Sequence, residues 1–140
     1  MSNTTTASPT RQLAGRRIVC LLAATVAAVI VWLIAHTALD IDLKTKAQGG
    51  GDPQEVGLAM VIGATILIGL IAWGVVALLD RKSPNARSRW TVIASIVFVL
   101  SLFGPLGSGE DGSTKVALLC MHLVVALVLI PGYARTARKD

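Results

Sequence analysis

The chain has 140 residues, of which 54% are hydrophobic and only 15% charged, with a net charge of +5 and a mean hydropathy of +0.69. A soluble domain carries roughly 25% charged residues, and one of this size could not hide so much apolar surface. The composition excludes a soluble enzyme, a disordered chain and a disulfide-stapled secreted module, and leaves a one-domain integral membrane protein.

In chain order, residues 1–15 form a tail, Ser/Thr/Asn-rich at its start and without an apolar pattern, that is expected to be disordered. Residues 16–140 form a four-span membrane domain. A helix needs roughly 20 apolar residues to cross a bilayer. The first span, 18–39, contains no charge and one imidazole, His36. It is longer than the apolar region of about 7–15 residues in a signal peptide, and no small-residue cleavage site follows it, so it stays in the protein. Residues 41–46 then alternate polar and apolar side chains, the period of a strand. A short extracytoplasmic strand is expected there, pairing weakly with 54–56. The second span, 56–79, has no ionisable group. The loop 80–89 contains the turn Ser83-Pro84-Asn85. The third span, 90–106, ends on Gly104-Pro105. The loop 107–114 is Gly/Ser-rich and expected to be flexible. The fourth span, 116–134, contains His122 and Pro131. These runs are too continuous for barrel strands. In lipid their backbone groups must bond internally, so they are helices, and the fold class is an all-α four-helix bundle.

Charge sets the orientation. Arg11, Arg16, Arg17, Arg81, Lys82, Arg87, Arg89, Arg135, Arg138 and Lys139 fall on one side, and only Lys44, Lys46 and Lys115 on the other. The positive-inside rule places both termini in the cytoplasm. These basic residues flank spans instead of clustering with stacking aromatics, so no nucleic-acid partner is expected. The partners expected are the bilayer and another membrane protein or a second copy. Trp90 and Tyr133 read as interfacial anchors. Small residues mark the packing faces: Cys20, Ala24, Ala27, Val31, Ala35 and Ala38 on span one, and Ala59, Gly63, Gly69 and Gly74 on span two. Cys20 and Cys120 are separated by most of the bilayer, too far for a disulfide.

No span contains Asp, Glu, Lys or Arg, which disfavours proton-coupled transport. The exceptions are the two histidines, His36 and His122, and Ser101 and the thioether of Met60 lie at similar depth. At 1.5 Å per residue they share a layer about 5–9 Å below the outer boundary. Imidazole and thioether can ligate haem iron, but a structural polar layer is the leading expectation, with no metal and no cofactor. A proton-handling or substrate-binding layer is the alternative. Ser101 and His122 are expected to pair inside the bundle, directly or through one water, with His36 on the same layer. No nucleophile, base and orienting group come together, and no phosphate loop is present, so no enzymatic activity is expected.

Trp90-Thr91, Ser101-Leu102-Phe103-Gly104-Pro105-Leu106, Met121-His122-Leu123-Val124, Leu129-Ile130-Pro131-Gly132 and the Asp40-Ile41-Asp42-Leu43 that ends the first span resemble a family of small four-span membrane proteins found mainly in actinobacteria, a domain of unknown function. The resemblance covers nearly the whole chain after the tail. It implies the four-span architecture and a bacterial plasma membrane, and it supplies no catalytic residues. The expected role is a non-enzymatic accessory or scaffold component of the cell envelope. The alternative is a small-molecule binding or transport protein with a polar site near His36 and His122.

Overall fold

In the computed structural model, which describes residues 8–46 and 51–138, helix α1 (Pro9–Leu33) starts earlier than the sequence suggests. Proline at the first helical position has its φ preset and lacks an N–H that would go unused there. The amides of Arg11 and Gln12 close the first turn on the Ser8 carbonyl. From residue 9 onward the expected tail is therefore helix, while residues 1–7 lie outside the described residues. The end of α1 widens into a π-helical turn, Ile34–Ala38. Asp40 stops it with a positive φ of 52°, and the Ile41 amide reaches back to the Ala35 carbonyl. Aspartate is one of the few residues that adopts this left-handed conformation at modest cost.

Strand β1 (Lys44–Thr45) pairs antiparallel with β2 (Gln54–Glu55), Lys44 opposite Glu55. The strand expected at 41–46 is present but shorter. Helix α2 (Leu58–Lys82) follows. Ser83 is extended, as a residue before proline must be, and so breaks α2 from α3 (Ala86–Ser101). Span three is interrupted. Pro105 has no N–H for the Ser101 carbonyl, and its ring crowds that carbonyl. The chain breaks at Leu102 and restarts as a short helix, α4 (Phe103–Ser108). Helix α5 (Gly112–Thr136) is capped by Asp111, whose carboxylate accepts the Thr114 amide at 2.6 Å. This cap holds the Asp111 carboxyl below its usual range, the Thr114 amide being the largest cause.

Among the described residues, four helical stretches are long and apolar enough to cross a membrane: Pro9–Ala38, Leu58–Lys82, Ala86–Ser108 and Gly112–Thr136. They form a ring in the order α1, α2, α3, α5, with α1 packed most extensively on α5. The core lies in two clusters. One, toward the basic end of the bundle, gathers Ala24, Val76, Trp90, Leu129 and Tyr133. The other, toward the β-hairpin, gathers Ala28, Leu43, Val61, Leu118 and Met121.

Two expectations need correction here. Trp90 and Tyr133 are buried, not interfacial: each aims its polar tip at a backbone carbonyl, Trp90 Nε1 at Ile130 (3.0 Å) and Tyr133 Oη at Gly69 (3.1 Å). Of the small residues on span two, only Gly69 makes a tight contact. A Cβ there would run into the Leu21 side chain, whereas Gly63 and Gly74 face open space.

The loop 107–114 is pinned, not loose. Thr45 bridges to Gly109, the Lys46 amide donates to Ser108, and the Glu110 amide donates to Lys44. The two loops at the hairpin end thus share backbone hydrogen bonds and form one cap over that end of the bundle.

Candidate functional site

Helices α2, α3 and α5 do not close on one another. Between them lies a cavity of about 550 Å³, roofed by Thr45 of the cap and Ser108 of α4. The volume is within the range of about 300–1,000 Å³ typical of small-molecule sites. Its lining from α2 recurs at helical spacing, as Val61, Thr65, Ile68, Ala72 and Val75. Inward, the wall is buried: Ala28, Ala94, Leu118 and Leu129. Outward, the rim is not. Met60, Ile68 and Ile71 of α2 and Val97 of α3 are 52–57% exposed. The cavity therefore opens sideways between α2 and α3, onto the surface that faces lipid in a membrane.

Three of the four residues expected to form a polar layer line this space: Met60, Ser101 and His122. The expected Ser101–His122 pair is not formed. The Ser101 hydroxyl donates to the Phe98 carbonyl at 2.7 Å, and His122 Nδ1 bonds the Leu118 carbonyl at 2.8 Å. Both partners lie one turn back on the residue's own helix, a local bond that needs no neighbouring helix. His36 is separate. It is exposed on the π-helical turn and stacks on Trp32, ring centroids 4.8 Å apart. On α1 the inward face carries Ala28 and Ala35, and His36, one residue further on, lies about 100° around the helix from it.

The lining also includes Thr45, Thr65, Trp90 and Ser108, which sequence reasoning did not assign to a site. Thr65 was detectable as the one hydroxyl deep in span two. Among the described residues, no three of His, Cys, Asp and Glu gather at one point, and both cysteines are free thiols.

A second polar cluster lies at the basic end. Arg17 is 6% exposed. Its Nη2 pairs with Asp80 Oδ2 at 2.6 Å, and its Nε donates to Thr136 Oγ1 at 3.1 Å. The other Asp80 oxygen accepts the Arg138 amide at 2.8 Å. This cluster ties α1, α2 and the C-terminal end of α5 together. The sequence reading took Arg17 only as a topology charge. Asp80 was the available signal: it stands beside Arg81 and Lys82, and the only other acid assigned to that side is Asp140.

A model of a protein family described as a family of unknown function, DUF6069, matches residues 8–139. No curated protein and no solved structure matches the chain.

Proposed function

The chain belongs to DUF6069, a family of unknown function, and we propose that it is a non-enzymatic membrane protein that holds a lipophilic molecule between α2, α3 and α5. One observation carries this reading: the 550 Å³ cavity is lined almost entirely by apolar side chains and opens toward lipid. A scaffold packed solid through this layer would leave no such space. The lining contains no Asp, Glu, Lys or Arg, so the molecule is neutral within the cavity, because an unpaired charge there would be costly. The hydroxyl and imidazole that the lining offers, Ser101 and His122, are each bonded to a carbonyl of their own helix instead of to one another, so no nucleophile is paired with a base. The protein is an accessory component that stores or presents this molecule without converting it. Its proposed location is a bacterial plasma membrane, with both termini cytoplasmic.

The test is photolabelling in nanodiscs with a long-chain hydrocarbon carrying a terminal diazirine. Every membrane protein is labelled on its lipid face. Insertion into the cavity adds label at Leu118 and Leu129, which are buried. Val97→Trp, at the rim, should remove that inner label and keep the outer one. Labelling confined to exposed residues in the unmodified protein would refute the reading.

A further inference from the structure

Six polar side chains line the cavity: Thr45, Thr65, Trp90, Ser101, Ser108 and His122. Each one already has its proton engaged with a backbone carbonyl. Thr45 donates to Gln54 (3.4 Å), Thr65 to Val61 (2.8 Å), Ser101 to Phe98 (2.7 Å) and Ser108 to Gly104 (2.7 Å). Trp90 Nε1 donates to Ile130 (3.0 Å). At His122, the Leu118 carbonyl can only accept, so Nδ1 carries the proton of that 2.8 Å bond. A neutral imidazole has a single ring proton, and Nε2 is then a bare lone pair. The hydroxyl oxygens keep free lone pairs, and the thioethers of Met60 and Met121 can only accept. The side chains of this cavity present acceptors and no donor.

We propose, building on the lipophile-holding reading above, that the cavity selects a neutral long-chain molecule whose polar end is a hydrogen-bond donor, an alcohol or a phenol, received by His122 Nε2. The polarity of the cavity sets the direction in which it lies. Thr45, Ser101, Ser108 and His122 are in the half nearer the cap. The half toward Trp90 is walled by Ile93, Ala94, Leu129 and Ile130. The donor end points to the cap and the chain toward Trp90. The same arrangement discriminates against look-alikes. A ketone, ester, quinone or ether brings another acceptor, which would face lone pairs and lose its own hydration without replacement. A carboxylate would add an unpaired charge.

Hexadecanol and methyl hexadecyl ether separate these cases, since they share a chain and differ in the donor. Each is titrated against the diazirine hydrocarbon in nanodiscs, with loss of label at Leu129 as the readout. Hexadecanol should displace the probe at roughly one-tenth the mole fraction the ether needs, the factor expected for one hydrogen bond. In His122→Leu the two should fall within about threefold of each other, with the ether unchanged. Equal displacement by both in the unmodified protein overturns the proposal, as does a preference that survives His122→Leu. If Leu129 is never labelled, the cavity reading fails instead, so the two failures are distinct. A second measurement does not depend on the variant folding. The chain has two histidines, so its nitrogen-15 imidazole spectrum is simple. The Nε2 resonance of His122 should start as an unprotonated nitrogen and move upfield with hexadecanol but not with the ether. A protonated Nε2 in the free protein overturns the proposal.

Discussion

Removing Asp80 should destabilise the bundle more than removing Arg17, although the two are partners in one ion pair. The side chains differ in burial, 7% exposed for Arg17 and 24% for Asp80. Asp80→Ala strands a guanidinium whose other bonds, among the described residues, go to Thr136. Breaking a fully buried pair costs about 3–5 kcal/mol. Arg17 lies near the helix end and can extend its stem toward water, which brings the expected cost to about 3 kcal/mol. Arg17→Met leaves a carboxylate that is partly hydrated and keeps the Arg138 amide on its other oxygen. Its expected cost is about 1–2 kcal/mol. The double variant should cost less than the sum, with a coupling of about 1–2 kcal/mol, because neither charge is then left alone. The assay is reversible unfolding in mixed micelles or bicelles, by steric trapping or detergent titration, on all four proteins of the cycle. Additivity within about 0.5 kcal/mol, or an Arg17 variant weaker than the Asp80 one, would refute the reasoning.

Gly69→Leu should destabilise by roughly 1–3 kcal/mol or more through collision with Leu21; Leu21→Ala in the same chain should recover part of that loss in the same unfolding assay. Asp111 predicts an acid limb. Its folded pKa is depressed, so the cap's stabilisation is present above the unfolded value and is lost as pH falls through the lower folded value. Unfolding titrations from neutral pH to about pH 3 should show this limb, flattened in Asp111→Asn; an unchanged slope would count against the cap. For orientation, in a chain carrying Cys20→Ala and Cys120→Ala, an impermeant thiol reagent on intact cells should label Lys44→Cys and Glu110→Cys. Asn85→Cys should react only after permeabilisation, and the reverse pattern would invert the topology.

The four spans were legible because a bilayer imposes a length and a composition on any helix that crosses it, and both can be counted along the chain. The strand at Lys44–Thr45 was legible from its alternation. The break at Leu102 was within reach, since Pro105 stood in plain view, but an apolar run of 17 residues reads the same whether or not it is kinked. The π turn was not legible, because one extra residue in a turn leaves no compositional mark. His36 lies one residue past the inward-facing Ala35, on a helix that gives the cavity only Ala28, so the expected layer of four became a cavity wall holding three. Trp90 and Tyr133 were misplaced for a related reason. Hydropathy reports that an aromatic lies near a span end, not which face it occupies, and a carbonyl of a neighbouring helix serves its polar tip as well as interfacial water does. The cavity depends on how helices far apart in sequence fail to meet, and no local pattern encodes that.

The pairing of the first long helix with the last has a consequence for biogenesis. Arg17 and Thr136, bonded across the basic end, are separated by 119 positions in the chain. At roughly 5–20 residues per second of synthesis, about 6–24 s pass between their emergence from the ribosome. During that interval α1 has α2 as a neighbour but not its principal partner, and the surface formed by Cys20, Ala24 and Ala28 lacks the part of its packing that α5 supplies. That incompletely packed surface is what the insertion machinery would cover over this period, and a chain stalled before α5 would present it to any protease that surveys unassembled membrane segments.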